Sequence, residues 1–136
     1  MPEATTPDVD RLMSDYVDLR NGDLSKLDVL SDTFTFHLPI DEVRGRDAAE
    51  AMQREQEAAF PDFELTVDDM LADDDIVMWE WTVTGTHRGE WQGIPPTGRE
   101  VAFAGMSKTV ISEGKIQENW AYFDSRTLMA QLEDTA

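Results

Sequence analysis

From Val9 onward, apolar residues return every third or fourth position, at Leu12, Met13, Tyr16 and Leu19, the period of a helix with one buried stripe. Thr6 followed by Pro7 reads as an N-cap with proline at the first helical position, and Asn21 with Gly22 as the stop. Residues 1–5 carry no period and are expected to form a loose tail, which leaves 6–136 as one domain. Asp23 opens a short second helix around residues 24–30. In 33–38, Phe34, Phe36 and Leu38 alternate as in a half-buried strand, with His37 on the opposite face. Asp47 with Glu50 three residues later has the spacing of a capping box. Ala48, Met52, Ala59 and Phe60 share one face of the helix it would start, and Pro61 ends that helix.

The rest of the chain reads as strands: residues 63–71, a turn at 73–75, 76–87, a Gly/Pro-rich loop to Gly98, 99–112, a turn at Glu113 and Gly114, and 115–123. Leu128, Met129 and Leu132 predict a short C-terminal helix. Helices followed by long antiparallel strands make an α+β pattern, in which a curved, mostly antiparallel sheet packs on the N-terminal helices and encloses a pocket. No internal repeat interrupts it.

Alternation puts Val77, Trp79, Trp81, Val83 and His87 on one face of the third of these strands, and Met78, Glu80, Thr82 and Thr84 on the other. The aromatic face is expected to be buried. In the last strand, Trp120, Tyr122 and Asp124 share one parity and Asn119, Ala121 and Phe123 the other; pattern alone leaves either face as the inner one. If the first points inward, Asp124 sits beside two aromatic rings at the mouth of an apolar cavity, where desolvation raises a carboxylate's pKa toward neutrality. Such an acid can move a proton next to a carbonyl without metal or cofactor, provided a donor receives the developing oxyanion. Tyr122, the indole N–H groups, His87 and His37 are candidate donors. Asp124 has a second reading, since it precedes Ser125, Arg126 and Thr127 where a helix N-cap belongs; Ser125 can take the cap and leave Asp124 free.

Composition narrows the classes. At 136 residues with 40% hydrophobic content, one core closes without staples. No cysteine is present, so thiol nucleophiles, disulfides and thiolate metal sites are excluded. No apolar run is long enough to span a bilayer and residues 1–7 lack a secretory pattern, so a soluble cytoplasmic protein without membrane contact is expected. The 29 acidic residues against 11 basic ones give a formal net charge of -18, which would repel nucleic acid. Asp outnumbers Glu, lysine is confined to Lys26, Lys108 and Lys115, and the acids gather at polar faces and turns such as Asp73 to Asp75. That resembles proteins of salt-loving organisms, in which salt screens self-repulsion. Full thermal stability in dilute buffer, compared with concentrated KCl, would sink that expectation. Two histidines without a carboxylate at ligand spacing give no metal site.

The segment Gly85-Thr-His-Arg-Gly-Glu-Trp-Gln-Gly-Ile-Pro-Pro-Thr-Gly-Arg99, followed by Gly114-Lys-Ile-Gln-Glu-Asn-Trp120, resembles the SnoaL-like polyketide cyclase family of the nuclear-transport-factor-2-like superfamily. Asp124, four residues after that tryptophan, and the leucine-rich helix ending in Gln131 and Leu132 extend the resemblance over about residues 9–132. It implies a cone-shaped fold, a homodimer formed through the sheet, no cofactor, and Asp124 as the acid/base of an aldol-type cyclisation. One departure stands out: the family's characterised cyclases also use a histidine near the aspartate, and none follows His87 here.

The resemblance points to a cofactor-independent cyclase- or isomerase-type enzyme acting on a small, largely apolar carbonyl or ester compound. Asp124 is its expected catalytic residue. His37, Trp79, Trp81, His87, Trp91, Phe103, Met106, Trp120 and Tyr122 are the expected ligand contacts. The alternative is a non-catalytic small-molecule-binding or dimerisation module of the same fold. Read physically, Gly93 and Gly98 supply turn angles and Pro95 and Pro96 stiffen the loop, so the signature segment shapes the rim of the cone.

Overall fold

The computed structural model describes residues 2–133, with side chains from Val9 onward. Helix α1 (Pro2–Arg20) presents the expected stripe, burying Val9, Met13, Tyr16 and Leu19. It starts ahead of the Thr6–Pro7 signal and includes residues 2–5, where no apolar period announces it. A 3-10 helix (Leu24–Val29) follows, opened by Asp23, whose carboxylate accepts from the Ser25 amide. Next come β1 (Leu30–His37), β2 (Glu42–Arg44), α2 (Arg46–Ala59), β3 (Glu64–Asp73), β4 (Ile76–Thr86), β5 (Glu100–Ser112), β6 (Lys115–Phe123) and α3 (Ser125–Glu133).

Strand β2 has no counterpart in the pattern, because its three residues bury Val43 alone and present no alternation to read. The capping box expected at Asp47 does not form. Gly45 is the N-cap of α2, without a side-chain hydrogen bond, and Asp47 lies inside the first turn, where a negative charge faces the helix dipole favourably. Glu50 pairs instead with Arg54 one turn later, at 2.6 Å.

The six strands form one sheet in the order β2-β1-β6-β5-β4-β3. Among the described residues, only the β1–β6 pair is parallel. Register shifts in β3 between Val67 and Asp69, and in β6 at Gln117 opposite Val110 and Ile111, mark irregularities of the kind that bend a sheet into a cone. Helix α1 lies against the inner face, and the Asn21 side chain fastens its end by accepting from the Leu65 amide (2.7 Å) and donating to the Leu65 carbonyl (3.1 Å). A smaller cluster of Ala59, Phe60, Val101, Leu128 and Leu132 closes the other end, where α3 covers β5. No helix among the described residues is long and apolar enough to cross a membrane.

Candidate functional site

Strand register decides which residues reach the interior. Across β4, β5 and β6 the inner rows run Val77–Thr109–Asn119, Trp79–Ser107–Ala121 and Trp81–Gly105–Phe123. Each indole of β4 therefore lies over a small residue on β5. A Cβ at Gly105 would fall 2.5 Å from the Trp81 ring and 2.7 Å from the Tyr122 carbonyl oxygen, so glycine is what lets that indole cross β5. Trp81 then donates its N–H to Ser107 Oγ at 2.9 Å, while its ring meets Phe103 and Phe123 edge-on.

Between this face, α1 and α2 lies a cavity of about 390 Å³. That volume suits a small organic molecule. Its walls are mainly aromatic and aliphatic, with Phe36, Trp79, Trp81, Trp91, Phe103 and Phe123 prominent. Ile40, Asp41, Glu42 and Glu55 also line it and are exposed, which places them at the mouth.

One chain of buried polar groups crosses the floor. Trp79 Nε1 donates to Thr109 Oγ1 (3.0 Å), Thr109 Oγ1 donates to Asn119 Oδ1 (2.7 Å), and Asn119 Nδ2 donates to the Tyr16 hydroxyl (3.1 Å). The hydroxyl proton of Tyr16 has no acceptor among the described residues. Burial holds this phenol above its usual pKa, opposed by the nearby Arg20 charge and the Asn119 hydrogen bond, so it remains protonated at neutral pH.

Arg20 follows one helical turn later and also lines the cavity. Its guanidinium donates to Gln53 Oε1 (3.1 Å) and Gln56 Oε1 (2.6 Å) and lies 5.4 Å from the ring centre of Phe36 and 5.8 Å from that of Phe63. Burial lowers its pKa, with Tyr16 opposing. By accessible surface the residue is only half-buried, consistent with a side chain that faces an open cavity.

A family model of the SnoaL-like polyketide cyclases matches residues 8–132. The chain belongs to that family. Solved structures agree: AclR from Streptomyces galilaeus, a proposed hydroxylase, is 30% identical with a TM-score of 0.77, over 93% of this chain and 83% of that one. TsrD from Streptomyces laurentii is 28% identical with a TM-score of 0.84, over 93% and 96%. IdmH from Streptomyces antibioticus, a proposed polyketide cyclase, is 28% identical with a TM-score of 0.77, over 92% and 98%. No curated protein matches the chain.

In this SnoaL-like protein the signature segment of residues 85–99 forms the rim. The His87 amide donates to the Arg99 carbonyl (2.9 Å) and the Gly98 amide to the His87 carbonyl (2.8 Å), while Trp91 and Ile94 bond each other. The His87 ring is fully buried beside Phe60 and does not line the cavity. Its Nδ1 lies 3.0 Å from Thr97 Oγ1 and accepts from the Thr97 amide (3.3 Å), which assigns the ring proton to Nε2. Nε2 has no partner among the described residues.

The expected contacts therefore divide. Trp79, Trp81, Trp91 and Phe103 line the cavity. Trp120, Tyr122 and Asp124 do not, because the β5–β6 register turns Asn119, Ala121 and Phe123 inward. Tyr122 is 63% exposed and Met106 50%, both on the outer sheet face. His37 is also outside, stacked on Trp120 at 4.8 Å and bonded to Glu42 (3.0 Å) and Glu118 (2.6 Å). Asp124 is exposed and caps α3: Oδ1 accepts from the Arg126 and Thr127 amides (3.0 and 3.3 Å), and Oδ2 from the Thr127 hydroxyl (2.9 Å). These bonds, the Thr127 hydroxyl foremost, hold its pKa below the ordinary carboxylate value, the reverse of the raised value expected in an apolar pocket. Ser125, expected as the cap, is the first helical residue. Tyr16, Arg20 and Asn119 are among the cavity's polar groups that residue pattern did not reveal. Tyr16 sits on the apolar stripe of α1, and Asn119 on the strand face opposite Trp120.

Proposed function

We propose that this SnoaL-like protein is a cofactor-independent enzyme of cyclase or isomerase type whose cavity takes a small, largely apolar carbonyl compound. The observation that carries this reading is the Tyr16 hydroxyl. It ends a polarised hydrogen-bond chain inside an apolar cavity, with its own proton uncommitted. A substrate carbonyl would complete that bond. As a proton leaves the adjacent carbon, charge grows on the carbonyl oxygen, and a preorganised donor in a water-poor site stabilises the enolate more than the ketone. The acceptor of that proton in this reading is Glu55, a cavity-lining carboxylate with no hydrogen bond or ion pair among the described residues. Glu42 also lines the cavity, yet is tied to His37 and Arg44.

A screen of aromatic ketones and esters by tryptophan fluorescence, with mass spectrometry of the recovered compounds, tests this directly. For a compound that is converted, Tyr16→Phe should lower kcat by about a hundredfold, whereas Asp124→Asn, which keeps a competent cap, should leave turnover unchanged. Loss of turnover in Asp124→Asn with Tyr16→Phe unaffected would return the chemistry to the aspartate. A non-catalytic binding module is the second reading, favoured by the absence of any imidazole and of any buried carboxylate from the cavity lining among the described residues. Fluorescence shifts without conversion would select it.

We infer further that two copies pair through the outer sheet face. There Met78, Met106 and Tyr122 stand exposed on neighbouring strands in a register that also places Trp120 beside them. Met106→Glu should convert a dimer to monomer in sedimentation equilibrium. A wild-type chain that sediments as a monomer at micromolar concentration excludes the pairing.

A further inference from the structure

Resting on the reading of the cavity as a ligand site, we propose that its ligand carries, besides the carbonyl, a single carboxylate, received by Arg20. The chain has 29 acidic residues, yet among the described residues the guanidinium inside the cavity forms no ion pair. Arg44, which lines the mouth, is paired with Glu42, and Arg46 and Arg54 have carboxylate partners too. Arg20 instead has two neutral carbonyl oxygens, from Gln53 and Gln56, and two phenyl rings.

The two glutamines are locked in that orientation. Gln53 Nε2 and Gln56 Nε2 both donate to the Arg20 main-chain carbonyl, at 3.2 and 3.0 Å, so their side-chain oxygens turn toward the guanidinium. Flipping either amide would set its N–H groups against the cation. They hold the guanidinium in place and leave its charge uncompensated. A guanidinium has five N–H donors. Two are used here, and no other acceptor within the described residues reaches it.

A half-buried cation without a counter-charge is poorly compensated, and an anionic ligand that closes the cavity over it supplies the charge the protein withholds. Tyr16 and Arg20 face the same cavity from adjacent turns of α1, so one ligand can set its carboxylate on the guanidinium and leave its carbonyl to accept from the phenol O–H. The aromatic walls specify the remainder of the molecule as apolar. Asp41, Glu42 and Glu55 at the mouth select against multiply charged anions, which favours a monoacid.

Isothermal titration calorimetry at fixed salt, with cinnamate, biphenylcarboxylate and the methyl ester of each, tests the inference. The acids should bind the unaltered protein about tenfold to a hundredfold more tightly than their esters. Arg20→Gln should abolish that preference, bringing the acid's affinity down to that of its ester. Because Arg20→Gln removes two interhelical hydrogen bonds and can disturb folding, Gln56→Glu supplies the second variant. It keeps the arginine and gives it an internal counter-charge in exchange for the bond to the Arg20 carbonyl, and should erase the acid preference while the chain still unfolds cooperatively. Equal binding of acid and ester by the unaltered protein overturns the inference while leaving the cavity reading intact, as does a preference that survives both variants. No binding of any acid or ester removes the cavity reading and this inference together.

Discussion

Replacing Asn119 with leucine should destabilise the protein by about 2–4 kcal/mol, read as a lower midpoint in urea or thermal unfolding. Asn119 is the centre of the buried chain, accepting from Thr109 and donating to Tyr16. Leucine has similar bulk and no polar atom, so the cavity changes shape little, but two partners lose their bonds. Thr109 is fully buried and would hold a hydroxyl proton with no acceptor. The Tyr16 oxygen would lose its donor, and with it the polarisation that makes its proton available to a ligand. Stability and ligand affinity should therefore fall together. Asn119→Asp separates the two effects, because a carboxylate keeps the Thr109 bond but cannot donate to Tyr16 unless protonated. If Asn119→Leu unfolds at the unaltered midpoint, the buried network has no structural weight.

Gly89→Ala should cost about 2–3 kcal/mol and loosen the rim. A Cβ there would collide with the Ala58 carbonyl oxygen and sit 3.2 Å from Ala59 Cα. Those atoms are main chain at the end of α2 and have no rotamer by which to escape. The Arg88 and Gly89 amides also donate to the Ala59 carbonyl, at 2.8 and 3.1 Å, so the clash falls where the loop is fastened to the helix. Trp91, two residues further on, lines the cavity. Ligand affinity should weaken along with the unfolding midpoint, and urea denaturation with and without ligand measures both. An unchanged midpoint would mean that the loop does not approach α2 so closely.

Two glycines, only one of them in the family signature, thus act through proximity. Gly89 admits the α2 carbonyl, and in β5, outside the signature, Gly105 admits the Trp81 ring. A sequence shows the glycine and not what approaches it. The signature was legible as a loop and as a mark of the family, and Gly93 and Gly98 do adopt positive φ, at 79° and 73°. That His87 would be bonded to Thr97 and kept out of the cavity was not legible, since the contact depends on how residues 87–99 close on themselves.

Residue pattern determined the helices and four long strands, the burial of the Trp79 and Trp81 face, and membership of the SnoaL-like family. Each of these rests on a local period or a contiguous motif, which survives in one dimension. Tertiary structure alone decided which face of β6 looks inward. Both faces carry aromatic residues, and only the pairing of Ser107 with Ala121 and Thr109 with Asn119 breaks the tie. That choice moved Asp124 from a presumed pocket to the cap of α3 and put Tyr16, Asn119 and Arg20 in the cavity. The physical reason is distance along the chain: Tyr16 meets a residue 103 positions away, and Arg20 meets partners 33 and 36 positions away. Packing brings those groups together, and no periodicity records it.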